Sequence, residues 1–379
     1  MINILITGDY SPQYRVATAI EKGEWEHVFG EVRSLTSQMD YSVTNFETAV
    51  ADATDLPIRK CGPHLHSTER SVEALRWAGF NMVTLANNHF YDYGDSSVRK
   101  SLKTISSNNL DCVGGGINIE NAKSILYKEI KSQRFAFINC CENEFSISTE
   151  NHGGSNPLNP IQQYYQIREA KENADYCIVI VHGGHEHFQL PSLRMKEVYR
   201  FFVDAGADVV VNHHQHCFSG YEIYHGSPIF YGLGNFCFDH QRKVPFTWNE
   251  GYALQLQFDS GQIGVLLHPY IQCRESPTVS FLKNREQFDL RISELNEVIA
   301  DDKKLTSALN KFYLSSDKTY LSIFEPYNNR YAFAAWYRNL LPSFFRGKKC
   351  VRAYNYVACE SHLDRLRHII ATYMNNQEK

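Results

Sequence analysis

The chain has 379 residues, of which 43% are hydrophobic and 13% aromatic, with a formal net charge of −4. That length exceeds what a single hydrophobic core usually serves and predicts one large domain with an appendage, while the mild acidity supplies no electrostatic footprint for nucleic acid. No apolar run approaches the roughly 20 residues that cross a bilayer, and Met1 leads into an apolar stretch with no basic, apolar, small-residue leader, so the expectation is a cytoplasmic protein with no transmembrane segment.

Five apolar runs, taken in chain order, each end in acidic, amide or imidazole side chains. Ile2 to Ile6 stops at Thr7-Gly8-Asp9, Tyr41 to Thr44 at Asn45-Phe46-Glu47, and Met82 to Ala86 at Asn87-Asn88-His89. Tyr176 to Val181 stops at His182, and Ala207 to Val211 at Asn212-His213-His214-Gln215-His216. Short runs rich in Val and Ile, bounded by Gly or Asn, predict strands buried on both faces, as in parallel sheets. Helices are predicted between them over Glu69 to Ala78, Ser97 to Ser107, Ile161 to Asn173 and Ser192 to Ala205, with another strand over Arg134 to Asn139. Ligands of open α/β sheets bind beyond the carboxyl ends of the strands, so five such ends form a candidate metal site. Carboxylates mixed with several imidazoles and no matching thiolates suit Mn, Fe, Zn or Co. Singly each end has a plain structural reading, as a turn, a helix start or a hydrogen-bonded core histidine.

Farther along, Tyr252 to Phe258 alternates strictly and Gly264 to Ile271 is apolar, joined by a turn at Asp259-Ser260-Gly261. The pair predicts a hairpin belonging to a second sheet. From about Ser276 the pattern turns to charged helix-forming segments over Arg285 to Ala300, Lys303 to Phe312 and Ser361 to Asn375. Ala332 to Leu341 leads into Phe344-Phe345-Arg346-Gly347-Lys348-Lys349, where aromatic side chains adjoin a basic cluster. Two readings stay open there: peripheral contact with a membrane surface or an anionic partner, and a helix that packs its aromatic stripe on the catalytic domain. The ten cysteines are scattered with no Cys-x-x-Cys pair, which predicts mostly small buried apolar residues. Cys217 is singled out by its place next to His216.

The residues at these strand ends resemble a family, the CapA-like (capsule or poly-γ-glutamate synthesis) branch of the calcineurin-like metallophosphatases. The resemblance rests on Gly8-Asp9, Asn45-Phe46-Glu47, Ala86-Asn87-Asn88-His89 with Asp92-Tyr93-Gly94, His182-Gly183-Gly184-His185-Glu186, His213 to His216, and Ser227 to Phe236. It covers roughly the first two-thirds of the chain.

The resemblance implies an α/β four-layer sandwich of two packed β-sheets flanked by helices, with a catalytic domain over residues 1–275 and a mostly helical extension over 276–379. It further implies two divalent metal ions. Glu47 would bridge them, Asp9 and His216 would complete one, and Asn88, His182 and His214 the other. His89 would act as general acid or polarise a phosphate, with Asp92 orienting its ring. Glu186 would accept a proton, fix a ligand histidine or hold a substrate amine, and Lys60 with Arg59 would neutralise an anionic small-molecule or polymer substrate. Ser11 stands where the wider superfamily has His, and Asn212, Gln215 and Gly183 depart from the branch pattern of Gly, Pro and Trp. The activity expected is metal-dependent hydrolysis of a phosphoester or related bond by a metal-activated water, in capsule, exopolysaccharide or poly-γ-glutamate biosynthesis. The alternative is a non-hydrolytic role in envelope-polymer biosynthesis: transfer, proton abstraction or polymer binding.

Overall fold

The computed structural model describes all residues except 242–243, 328, 359–361, 364–365, 367–368 and 371–379. It divides into two compact units, Met1–Thr306 and Ser307–Lys379.

Two sheets face each other in the first unit. One runs in the order Val279–Phe281, Gln262–Gln272, Glu250–Asp259, Ile2–Ser11, Tyr41–Phe46, Met82–Thr84, Asp111–Val113, with Asn235–Phe238 pairing alongside the end of Ile2–Ser11. The other runs Tyr221–Tyr224, Ser227–Phe230, Val209–His213, Tyr176–His182, Gln133–Cys141, Leu126–Ile130. Strands bearing the ligand-type ends are parallel neighbours within each sheet, which is why they read as unbroken apolar runs rather than alternating ones. Between the sheets, Ile4, Ile6, Val43 and Met82 of one meet Phe137, Ile178, Ile180 and Val211 of the other. On the far side of the first sheet, Leu5 and Val83 pack on Val16, Phe29, Val72 and Ile105 from helices Tyr14–Glu21, Trp25–Thr36, Glu69–Trp77 and Gly94–Ser107. Helices Pro160–Asn173 and Leu193–Ala205 cover the second sheet, completing the helix, sheet, sheet, helix layering. Each apolar side chain fully withdrawn from water contributes about 1.5–3 kcal/mol, so these layers dominate the stability.

Local signals set the helix ends. Ser192 accepts from Met195 N at 3.1 Å and Gly206, at φ 122, ends the helix between them. Asn159 caps the preceding helix, whose first residue is Pro160.

One expectation is corrected. The hairpin Glu250–Asp259 and Gln262–Gln272 forms around Asp259-Ser260-Gly261, yet it extends the first sheet, pairing antiparallel with Ile2–Ser11 from Ile2↔Phe258 to Ile6↔Leu254. Its alternating side chains face the same inter-sheet core, through Leu254 and Leu256. The first compact unit runs to Thr306, and within it helix Glu286–Ala300 seats Phe288 and Ile292 in the inter-sheet core.

Helices Tyr14–Glu21, Trp25–Thr36 and Lys348–Ala358 were not among the predicted elements. The second unit contains helices Asp317–Leu321, Arg330–Tyr337 and Lys348–Ala358. Glu325 accepts there from Phe344 N and Phe345 N at 2.8 and 3.1 Å. The helix expected over Ser361 to Asn375 falls largely on residues outside the description. Among the described residues no helix is long and apolar enough to cross a membrane. Every described cysteine is unpaired; most are buried, Cys217 among them, and burial pushes its thiol up to about 12.

Candidate metal centre

A bulge between Thr7 and Asp9 decides where the first strand sends its acid. Ile4 and Ile6 face the inter-sheet core while Leu5 faces the helices, yet Tyr10 lies in the same helix-side core as Leu5. The alternation has therefore slipped by one residue at Gly8, which carries Asp9 round to the side of the second sheet. Only glycine fits at the slip, since a Cβ on Gly8 would come within 1.8 Å of the Gly234 carbonyl oxygen. That carbonyl accepts from Asp9 N at 3.2 Å.

The second sheet meets it with a turn built from strained backbone. His214 and His216 both adopt left-handed conformations, φ 89 and 54, uncommon for non-glycine residues and concentrated at functional sites. His214 N donates to Asp9 Oδ2 at 3.1 Å, and His213 Nε2 lies 3.0 Å from Thr7 O, so the two sheets are tied backbone to side chain beside the site.

Six residues from these ends come together, joined by Glu186 from the loop after His182. Ligand-type atoms of Glu47, His182 and His214 lie within 4.8 Å of one another, as do those of Asp9, Glu47 and His216, and those of Glu186, His214 and His216. Asn88 Oδ1 lies 3.1 Å from His182 Nε2. Glu47 stands between the two sides, its Oε1 3.7 Å from both His182 Nε2 and His216 Nε2. Both Glu47 carboxylate oxygens are buried without a hydrogen-bond partner among the described residues. Burial, then the charges of Asp9, Glu186 and Glu144, push its pKa well above the ordinary value. Burial and the neighbouring imidazoles hold His182 well below its ordinary value, and burial takes His216 down to about 3 against the pull of Asp9. Neutral imidazoles around an orphaned carboxylate are the donor set that a divalent cation completes, so these residues fit a metal.

Supporting side chains fix the donors. Asn45 Nδ2 donates to Asp9 Oδ1 at 2.7 Å and lies 3.2 Å from His182 Nδ1. Asn235 Oδ1, 2.9 Å from His216 Nδ1, leaves Nε2 turned to Glu47. Asn212 donates to Gly183 O at 2.9 Å and Tyr231 O at 3.1 Å, and Gln215 donates to Phe188 O and Leu190 O at 2.9 and 3.1 Å. The two departures from the branch pattern thus brace the turns that carry the histidines. Gly183 makes room for Glu142, whose Cγ would lie 2.7 Å from an added Cβ.

Beside this cluster, His89 Nδ1 lies 2.7 Å from Asp92 Oδ2 and 3.1 Å from Lys60 Nζ. Asp92 is fully buried and also accepts from Lys60 Nζ and from Leu65 N. Burial lowers the His89 pKa while Asp92 holds it up. With Nδ1 engaged, Nε2 is the ring nitrogen left for the pocket, which His89 lines together with Lys60, Asn88, Glu144, Glu186 and Trp248. The Lys60 ammonium is spent on Asp92. Arg59 is exposed and lies outside that lining, and Glu186 is half exposed at its rim.

Sequence reasoning gave no role to Asn45, Asn235, Glu144 or Trp248. Asn88 Nδ2 donates to Glu144 at 3.4 Å, and the Trp248 ring lies 5.0 Å from that of His216. Glu144 had a legible signal, because Gln133–Cys141 is a sixth strand whose end runs into acids, Glu142 and Glu144.

Fold and site together define a two-sheet α/β protein with a carboxylate, amide and imidazole cluster at the joined strand ends. Residues 3–240 match the family described as bacterial capsule synthesis protein PGA_cap, and the chain belongs to that family. It is 32% identical over 246 residues to the capsule biosynthesis protein CapA of Bacillus anthracis, covering 63% of this chain and 60% of that one. It is also 32% identical over 242 residues to the PGA biosynthesis protein CapA of Bacillus subtilis, covering 63% and 64%. The chain thus spans somewhat less than two-thirds of the curated relatives it matches. A solved structure described as a novel phosphatase from Mycoplasma pneumoniae overlaps 71% of this chain and 93% of its own, at 14% identity and a TM-score of 0.44.

Proposed function

We propose that the chain is a metal-dependent hydrolase of a phosphoester or related bond, acting on an anionic small molecule or polymer in capsule, exopolysaccharide or poly-γ-glutamate biosynthesis. The observation that carries this reading is Glu47, a fully buried carboxylate whose two oxygens have no partner among the described residues and which lies between two sets of ligand-type atoms. Asp9, Glu47 and His216 would hold one divalent ion, Mn, Fe, Zn or Co, and Glu47, Asn88, His182 and His214 a second. When bound, such ions supply Lewis-acid polarisation of the scissile group and acidify water.

The chain's own residues do the rest. His89 exchanges a proton with the substrate at Nε2 while Asp92 holds Nδ1, and Lys60 holds Asp92 in place. Glu186 and Glu144 flank the pocket mouth as proton acceptors or as partners for a substrate amine. Arg59, outside the pocket, attracts an anionic group toward it. The C-terminal unit, with its basic and aromatic residues, serves a membrane-surface or protein contact.

Metal analysis of the purified protein combined with a screen of phosphodiester, phosphomonoester and peptide substrates tests the reading. Divalent metal together with metal-dependent turnover is expected. Metal without turnover on any of these classes would turn the assignment to a non-hydrolytic role in polymer synthesis.

A further inference from the structure

A cavity of about 440 Å³ lies apart from the metal cluster, lined in part by Phe218, Phe246, Glu250, Arg274, Phe288 and Arg291. This falls within the usual size of a small-molecule site. Phe218 and Phe288 make an aromatic wall, their ring centroids 5.2 Å apart. Arg291 is already committed: it donates to Glu250 at 2.5 Å and to Gln189 Oε1 at 3.3 Å, so that pair adds no net charge. Glu286 is exposed, in the first turn of its helix. Arg274 differs from all of these. Its Nε and Nη2 are buried with no hydrogen-bond partner among the described residues, and its guanidinium lies under the Phe246 ring at 3.7 Å.

A guanidinium always carries its charge, and its fork of N–H donors matches a carboxylate or phosphate two oxygens at a time. Buried donors left without an acceptor are costly and mark a position that something else completes. We propose that this cavity is a ligand site for a carboxylate- or phosphate-bearing small molecule with an apolar body, its anionic end taken by Arg274 and its body lying on the aromatic wall. Phe246 is 57% exposed and roofs the guanidinium, so it has room to swing aside as the anion enters. It stands on the single turn Phe246–Asn249, and Trp248 on the same turn packs against His216 and accepts at its carbonyl from Asn235 at 3.2 Å.

The test uses the full chain with two stable probes, phenylphosphonate and benzoate, which separate the phosphate-like from the carboxylate source of the anion. Calorimetric titration should show one probe binding, and the same probe should raise Tm. Arg274→Met should weaken that binding roughly 10–100-fold. Without probe the same variant should melt roughly 2–6 °C higher than the unsubstituted protein, because the unpartnered charge is gone. The double variant His214→Ala/His216→Ala should keep the binding, which separates this site from the metal centre. If Arg274→Met does not fold, Arg274→Lys keeps the stem and the charge without the fork and is read the same way. Failure of both probes to bind the unsubstituted protein, or binding that survives loss of the Arg274 fork, would overturn the proposal.

Discussion

Replacing Glu47 by Gln keeps the shape of the side chain and removes its charge, so the metal-free and metal-loaded proteins should respond with opposite signs. The Glu47 carboxylate is fully buried and neither oxygen has a hydrogen-bond partner among the described residues, and without metal an unsatisfied buried polar group costs about 1–3 kcal/mol, more when charged. Gln fills the same space with a polar but uncharged group, so Glu47→Gln should stabilise the metal-free protein at pH 7 by removing the charge part of that cost, about 1.4 kcal/mol for each unit of raised pKa passed through below pH 7. The dependence on pH follows from the raised pKa, which burial causes first and the charges of Asp9, Glu186 and Glu144 reinforce. Below the ordinary Glu value of about 4.3 both folded and unfolded chains hold the proton and the penalty vanishes; it grows as pH rises from there toward the folded-state value, then stays constant. The advantage of the variant should grow over the same interval. Added Mn²⁺ or Zn²⁺ should invert the order, because a ligand at 100 times its Kd stabilises by about 2.7 kcal/mol and the variant has lost the shared carboxylate. Thermal melts of both proteins with and without chelator, from pH 4 to 8, measure all of this. The reasoning fails if metal stabilises Glu47→Gln as much as it stabilises the unsubstituted protein.

His214→Ala/His216→Ala should strip bound metal, whereas Asp9→Ala should empty mainly one position, read by metal titration of each variant. His89→Ala should keep metal and Tm while losing on the order of 10²–10⁴ in turnover, the range of a general acid–base group; an unchanged rate with intact metal would remove His89 from the chemistry. Gly8→Ala should fail to fold or lose more than about 4 kcal/mol, because its Cβ would come within 1.8 Å of the Gly234 oxygen, and a soluble variant with native Tm would refute that close approach. Lys196→Met should lower Tm, since the buried ammonium joins Ile299 O at 2.6 Å to Asp302 at 2.7 Å and ties the helix following residue 285 to the second sheet's cover.

The ligand strands were legible because burial on both faces leaves an unmistakable signature: Ile178 and Val179 are equally withdrawn from water although they point to opposite sides. The same principle explains the misplaced hairpin. Alternation over Tyr252 to Phe258 tells which side chains are buried, and nothing in it says which of two facing sheets supplies the neighbouring strand. Helices Tyr14–Glu21 and Trp25–Thr36 escaped notice because only a few positions on each, such as Val16, Ile20, Val28 and Phe29, are buried amid charged residues. At the site, the strand ends alone offer Asp9, Glu47, Asn88, His182, His214 and His216 as candidates, while their division into roles comes only with the family resemblance. The amides that hold them, Asn45 and Asn235, could not be named so, since an amide's role is set by what lies within 3 Å of it. Arg274 carries no sequence signal either; its isolation exists only in three dimensions.

The slip at Gly8 also has a bearing on the order of events during synthesis. Asp9 is turned toward the second sheet and held there by His214 N and the Gly234 carbonyl, and His213 closes on Thr7 across 206 positions of chain. Contacts so distant in sequence form late, after the loop entropy of the intervening segments has been overcome. A nascent chain released before residue 182 would display Asp9, Glu47 and Asn88 without any of the three histidines, His182, His214 and His216, that gather round them. Metal uptake in a growing chain would accordingly report the closing of the two sheets on each other, and would lag the formation of either sheet alone.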